Sequence, residues 1–381
     1  MTRMGRHSVS RPKVAIVGVG ATAQGRQPGY SANELAVLAA KNALADAGLT
    51  KDDIDGLVTG KTYTGPAGRD TDIGQLLGLN ARFSQSLTYG SCNFSLHTAC
   101  MAIEAGLAET ILLTYATNAG TLWSGFPIGL NESETHSELL PVPAWAALMF
   151  RRHQHLYGAT EADLGAVTVA QRRWAALNPQ AVRRELLTMD DYLASPYLFE
   201  PIRKLDICPY DDGGVSLIMT TADRAADLHH PPVVILGQSE LAELRVLQNT
   251  DNMERAWMTD MADASFADAG ISRSDIDIVS IQEPGSIWVL QLLEALGFVG
   301  PGEAGAFILE GHTSPGGQLP VNTGGGHLAE SYMWGWLHLV EITRQLRGEA
   351  GGRQVPSART AIHCSTLLST KGASTIFGVD V

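Results

Sequence analysis

Two glycine-bearing segments hold the side chains best suited to chemistry. In "NTGGGHLAESYMWGWLHLVEITRQLRG", residues 322–348, a turn with Gly324, Gly325 and Gly326 leads to His327, Tyr332 and Trp334 and then into a helical pattern. In "YGSCNFSLHTACMAIEAG", residues 89–106, Tyr89, Gly90, Ser91 and Cys92 stand just ahead of another helical pattern. Glycine tolerates conformations and contacts that other residues refuse, so Gly90 and Gly324 to Gly326 would let backbone amides approach a ligand. A cysteine is nucleophilic as its thiolate, and a helix N-terminus would lower the pKa of Cys92 if the sulfur faced a pocket. Tyrosine, with an ordinary pKa of about 10, is a poor nucleophile but a usable proton donor or acceptor where a site lowers that value. The plainer readings stay open. A tyrosine at a helix start is often a core or interface residue, His97 suits a satisfied buried histidine, and Cys92 and Cys100 suit small core hydrophobes.

The rest of the composition limits what such a site can bind. The chain has 381 residues, 45% hydrophobic and 18% charged, as expected of a packed globule with two ordinary domains or one large duplicated one. A formal net charge of -13 and a pI near 5.3 argue against nucleic acid and against an anionic membrane surface. An anionic ligand would need a local cationic cluster. Arg172, Arg173, Arg183, Arg184, Arg203 and Lys204 make one stretch basic, unless they sit on solvated helix faces. Trp334 and Trp336 would form an apolar wall for a bulky group or pack into the core. The four cysteines form no CxxC pair and no Cys/His spacing suited to zinc, so no metal and a reducing, cytoplasmic setting are expected. "VAIVGVGATA" near the N-terminus faintly resembles a signal peptide, but Gly18 and Gly20 break it and a buried first strand fits better. No apolar run reaches the roughly 20 residues needed to span a bilayer. No GxGxxG follows the first strand at the spacing a nicotinamide site needs.

The elements that must position these residues are legible in part. After the first apolar run, Ser31 and Glu34 have the S-x-x-E spacing of a helix start, and Gly48 supplies the stop. "ADAGLTKDDIDGLV" (45–58) recurs as "ADAGISRSDIDIVS" (267–280), 222 positions later. Two copies of a strand–helix–strand–helix–strand unit predict a duplicated α/β protein with helices sandwiched between sheets. The region between the halves is richer in Arg and Pro and breaks the duplication, as an inserted loop domain over the site would. The expected division is 1–120 for the first part of the N-terminal half, 121–210 for the insertion, 211–235 for return strands and 236–381 for the C-terminal half.

The segments "VAQRRWAALNPQA", "LASPYLFEPIRKLDICPYDDGG", "LLEALGF", "GGQLPVNTGGG" and "TRQLRG" together resemble the thiolase superfamily, in particular its thiolase-like lipid-transfer branch. The resemblance covers nearly the whole chain and implies the layered, duplicated thiolase fold. Laid on the thiolase pattern, Tyr89 takes the place of the nucleophilic Cys, with Cys92 three residues late. Tyr332 takes the place of the activating His, and Gln282 that of the Asn that holds an oxyanion-hole water. The second thiolase Cys falls at Thr366, with Cys364 two residues away.

A Claisen reaction on a thioester needs an acyl-enzyme, whereas a retro-aldol cleavage of a β-hydroxyacyl-CoA needs only proton transfer and enolate stabilisation. The resemblance therefore implies an aldolase-type carbon–carbon lyase. Tyr332 would be its acid/base and Tyr89 a second proton or oxyanion donor. Gln282 would donate to the thioester oxygen, with His327 assisting, and Gly90, Ser91, Trp334, Arg172 and Arg173 would contact the substrate. Two rivals stay open: an acyltransferase that uses Cys92, and a silent homologue that binds acyl-CoA and scaffolds an active partner. The branch also implies a homodimer, a small OB-fold/zinc-ribbon partner protein, and no cofactor beyond the CoA thioester substrate itself.

Overall fold

The computed structural model describes residues 13–60, 67–88, 92–122, 141–242, 257–367 and 371–379. Tyr89, Gly90 and Ser91 lie outside the described residues. The strands are β1 (Val14–Ala21), β2 (Gly56–Gly60), β3 (Phe83–Leu87), β4 (Thr110–Asn118), β5 (Tyr197–Phe199), β6 (Ile202–Arg203), β7 (Asp212–Thr221), β8 (Val233–Ala242), β9 (Ile278–Ile281), β10 (Thr360–Leu367) and β11 (Lys371–Gly378). In the first half the helices are α1 (Ala32–Ala47), α2 (Asp70–Leu77), α3 (Cys92–Glu104) and α4 (Ala119–Leu122). Then come α5 (Val142–Tyr157), α6 (Glu161–Leu177), α7 (Met189–Ala194) and α8 (Ala222–Ala225). The second half has α9 (Trp257–Ala269), α10 (Ser286–Ala295), α11 (Ala304–Leu309), α12 (Gly326–Ala329) and α13 (Trp336–Arg347).

The repeated sentence folds the same way twice. In the first copy Gly48 ends α1 in the left-handed conformation, Thr50 and Asp53 cap a short 3-10 turn, and β2 follows. In the second, Gly270 takes a φ of 70° after α9, Ser272 and Asp275 cap the matching turn, and β9 follows. At the head of α1 the Ser31 hydroxyl accepts from the Glu34 amide and the Glu34 carboxylate accepts from the Ser31 amide, the reciprocal cap that the spacing predicts.

Among the described residues one nine-stranded sheet runs β3-β2-β4-β7-β1-β8-β11-β10-β9. From β3 the pairings are parallel, parallel, antiparallel and antiparallel to β1. From the other edge Val321 bridges β9 in parallel, β9 and β10 are parallel, and β10–β11 and β11–β8 are antiparallel. The two halves are thus copies that meet where β1 pairs with β8. Close helix packing needs glycine on both central strands. A Cβ on Gly20 would lie 2.3 Å from the Ala43 nitrogen of α1, and one on Gly237 of β8 would lie 2.4 Å from the Ser265 oxygen of α9. β1 is buried along its length, the strand expected of "VAIVGVGATA". Residues 141–211, between β4 and β7, contribute α5, α6 and α7, which pack on the second half.

Candidate active site

Four elements converge on one buried polar cluster. β10 alternates, so His363 and Ser365 share a face and Cys364 takes the opposite one. On that shared face, Cys92 Sγ at the start of α3 lies 3.2 Å from His363 Nε2 and 3.6 Å from Ser365 Oγ. Ser365 Oγ is 3.1 Å from the same His363 nitrogen, and Ser280 of β9 meets His363 Nδ1 at 3.0 Å. Cys92, His363 and Ser365 are each 0% exposed. Cys364 and Thr366, the positions that sequence register offered, lie on the other face, and Cys364 packs into the core there.

Burial decides the ionisation of this group. It pushes the Cys92 thiol up to about 12, although Ser365 and nearby amides pull the other way. It holds His363 well below the usual imidazole range, and neighbouring His338 adds to that effect. The pair is therefore a neutral thiol beside a neutral imidazole. The helix start at Cys92 does not offset its desolvation.

A second layer stands behind it. His338 of α13 stacks on His363 with ring centroids 5.3 Å apart, and His327 of α12 lies 4.8 Å from His338. The Gly335 amide donates to His327 Nε2 at 2.9 Å, so that nitrogen carries no proton, and Nδ1 donates to the Glu283 carbonyl at 3.0 Å. Both ring nitrogens of His327 are thus engaged, and burial, followed by the charge field of His338, holds the ring neutral. The Glu283 carboxylate accepts from the amides of His327 (2.6 Å) and Leu328 (3.3 Å) and from Asn322 Nδ2 (3.0 Å), with His338 Nε2 at 3.4 Å. These three donors satisfy the buried Glu283 oxygens. Ligand-type atoms of Glu283, His327 and His338 lie within 4.8 Å of one another, but most of them are already committed to this network.

Tyr332 sits at the edge of the cluster. It is half-buried, packs between the two large cores, and meets His327 edge-on at 4.9 Å and Tyr210 edge-on at 5.8 Å. Gln282, which follows β9, is buried, and its backbone amide donates to the Cys364 carbonyl at 2.8 Å. Gly335, at a φ of 84°, is where the layers touch. A Cβ there would lie 2.8 Å from Cys92 Sγ, 3.1 Å from His363 Nε2 and 3.2 Å from Gln282 Oε1.

Other expected contact residues are used differently. Gly325 and Gly326 make close approaches within the protein: their Cβ atoms would meet Ala175 of α6 at 2.8 Å and the Glu283 carboxylate at 2.3 Å. The Gly324 carbonyl accepts from Asn178. Trp334, at a φ of 49°, and Trp336 are both buried, and Trp336 stacks on Tyr115 of β4 with centroids 6.2 Å apart. The basic stretch does not form one patch. Arg172 is buried and donates to the Glu185 carbonyl at 2.9 Å, Arg203 pairs with Glu161 at 2.7 Å, and Arg173 is exposed near Ser314. Sequence reasoning missed His363, His338 and Glu283; the period-two alternation of "AIHCSTL" was the available signal for His363.

The duplicated sheet with its converging helix start and glycine-rich loop defines a thiolase-like enzyme, and residues 239–378 match the family described as Thiolase C-terminal domain-like. The chain is 34% identical to a steroid side-chain-cleaving aldolase of Thermomonospora curvata, over 98% of this chain and 100% of that protein. It is also 34% identical to the 17-hydroxy-3-oxo-4-pregnene-20-carboxyl-CoA lyase of Mycobacterium tuberculosis, over 88% and 92%. A solved structure described as an Ltp2-ChsH2(DUF35) aldolase superposes with a TM-score of 0.87 at 31% identity, covering 98% of this chain and 99% of that one. The chain belongs to the thiolase superfamily, in the thiolase-like lipid-transfer branch that includes these aldolases, and is a carbon–carbon lyase of the aldolase type.

Proposed function

We propose that the protein cleaves a β-hydroxyacyl-CoA by a retro-aldol reaction, with Tyr332 as acid/base. The observation that carries this reading is the contrast between Tyr332 and Cys92. The thiol is sealed, neutral and desolvated, whereas the tyrosine is half-buried in the loop that follows the glycines. Retro-aldol cleavage needs no acyl-enzyme: a base takes the hydroxyl proton, the bond breaks, and the thioester enolate is held by donors and reprotonated. Gln282 is the donor proposed for the thioester oxygen, and Tyr89 the second proton or oxyanion donor. The two relatives are named for a steroid side chain and a steroid carboxyl-CoA, which makes a steroid carboxyl-CoA thioester the first substrate to try. The solved neighbour, an Ltp2-ChsH2(DUF35) aldolase, supports a small partner protein of the DUF35 kind, in line with the expected OB-fold/zinc-ribbon partner. Strand β3 forms one edge of the sheet with Ser84, Gln85 and Ser86 exposed, which supports a homodimer through that edge. No helix among the described residues is long and apolar enough to cross a membrane. The four cysteines are buried and form no disulfide, which supports the expected reducing, cytoplasmic setting.

The test is ketone release from a panel of β-hydroxyacyl-CoA thioesters, 17-hydroxy steroid carboxyl-CoA among them, by the chain with its partner. Tyr332→Phe should lower turnover about 100-fold or more while ligand affinity stays within a few-fold. Unchanged turnover in that variant would remove Tyr332 from the chemistry. One observation favours a second reading, a Cys92-dependent acyltransferase: Cys92, His363 and Ser280 have the nucleophile–base–orienter order at hydrogen-bond distances. It predicts an acyl-sized mass gain on the intact protein after incubation with acyl-CoA, lost in Cys92→Ala.

A further inference from the structure

Arg183 and Asp211 face each other beside the Tyr332 loop. Arg183 lies in the segment after α6, whose backbone is tied to that loop: the Val182 and Arg183 amides donate to the Glu330 and Ala329 carbonyls, both at 2.9 Å. Asp211 is the residue before β7, and its backbone is fixed against α4, where a Cβ on Gly120 would lie 2.9 Å from Asp211 Cα. Arg183 Nη1 and Asp211 Oδ2 form a stretched ion pair at 4.0 Å, beyond hydrogen-bond reach, and both atoms are buried with no hydrogen-bond partner. Asp211 is 5% exposed and the Arg183 side chain 27%.

The neighbouring aspartate shows that this is not a general property of the segment. Asp212 accepts from the amides of Gln27 (2.7 Å) and Thr121 (2.8 Å) and from the Thr121 hydroxyl. A buried donor or acceptor atom without a hydrogen bond costs about 1–3 kcal/mol, so two of them facing each other suit a third group placed between them. A hydroxyl satisfies both, donating to the carboxylate and accepting from the guanidinium.

We propose that Arg183 and Asp211 bind the β-hydroxyl of the thioester substrate and that Asp211 takes its proton as the carbon–carbon bond breaks. The inference rests on the retro-aldol reading above. The O–H electron pair becomes the second bond of the new carbonyl, whose oxygen keeps its hydrogen bond to Arg183. The Cα–Cβ pair passes into the thioester enolate, which takes a proton from Tyr332 at Cα. The proton on Asp211 then restores Tyr332, so one proton has moved from oxygen to carbon and no co-reactant is needed. The surroundings suit a base. Burial raises the Asp211 carboxyl above the usual range, and Arg183, the Ser331 hydroxyl and the Tyr332 amide oppose that rise. Asp212 reinforces it, and the buried, neutral thiol of Cys208 lies close enough to feel the charge of Asp211.

The experiment is the pH dependence of kcat/KM for β-hydroxyacyl-CoA cleavage by the chain with its DUF35-type partner, in wild type, Asp211→Asn and Arg183→Gln, with thermal midpoints recorded for each. Asp211→Asn should lower kcat/KM about 100-fold or more with the midpoint within a few degrees. Arg183→Gln should raise KM and move the acidic limb of the profile to higher pH, because the carboxylate loses its cation. A purely structural role would leave that limb in place. If Asp211→Asn folds poorly, the limb shift in Arg183→Gln decides alone. An active wild type with Asp211→Asn within about threefold of it and an unmoved limb in Arg183→Gln overturns this inference and leaves the retro-aldol reading intact. A wild type that cleaves no thioester overturns both.

Discussion

Cys92 Sγ and His363 Nε2 lie 3.2 Å apart, yet the pair is uncharged on both sides. Distance alone would suggest an activated thiol. Desolvation prevents it, because an ion pair sealed in the interior must recover its lost hydration from a few hydrogen bonds. With the thiol at about 12, iodoacetamide should not label Cys92 in the folded protein at pH 7.5, and Cys92→Ala should keep lyase turnover within about twofold. Peptide mass spectrometry after brief alkylation checks the first point, and rapid labelling there would revive the acyltransferase.

His327 holds the loop rather than shuttling protons, since each ring nitrogen is already used. His327→Ala would orphan the Gly335 amide and the Glu283 carbonyl, and should cost about 2–4 kcal/mol in urea unfolding. Its imidazole stays neutral in the folded protein, so no limb of the rate profile should follow it. A limb near pH 6.5 that vanishes in His327→Gln would contradict this role.

Gly335 makes a close contact between the two layers. In Gly335→Ala the new methyl would press on Cys92 Sγ at 2.8 Å in a backbone conformation that disfavours alanine, so a loss of about 1–3 kcal/mol is expected. Removing the sulfur in a Cys92→Ala background should recover part of that loss. A double-mutant cycle reads the coupling, and strictly additive losses would mean that backbone strain alone is responsible.

Glu330, two residues before Tyr332, is buried with its carboxyl pushed up to about 8, chiefly by burial and then by the charge of Glu341, against the pull of Arg353 and of the Asn178 amide. The folded state therefore holds its proton more tightly than the unfolded chain. Its contribution to stability is complete below its ordinary value of 4.5 and is lost as pH rises toward about 8. Glu330→Gln keeps an oxygen to accept from Asn178 Nδ2 and removes the titration, so the thermal midpoint of the variant should gain on wild type between pH 5 and pH 8. Each kcal/mol of that difference is worth about 2–4 °C or less in a chain of this size. A constant offset across that range would show that Glu330 titrates normally.

The sequence by itself determined the local and the periodic. The Ser31–Glu34 cap, the Gly48 stop and the repeated turn all depend on groups within a few residues of one another, so their geometry follows from spacing. The duplication was legible for the same reason: one short pattern folds alike wherever it recurs, and the fold and the aldolase class followed from it together with the family resemblance. What sequence could not decide was which side chains meet. Cys92 and His363 are 271 positions apart, and the pleat of β10 rather than any motif turns His363 and Ser365 toward the sulfur while Cys364 faces away. Arg183 in the segment after α6 and Asp211 before β7 come to face each other only once residues 182–183 pack on the loop of Tyr332. Ionisation was equally out of reach. A helix start argues for a low thiol pKa and an isolated tyrosine for a high one, but burial, which exists only after folding, sets the thiol at about 12 and leaves the tyrosine at the edge of the cluster.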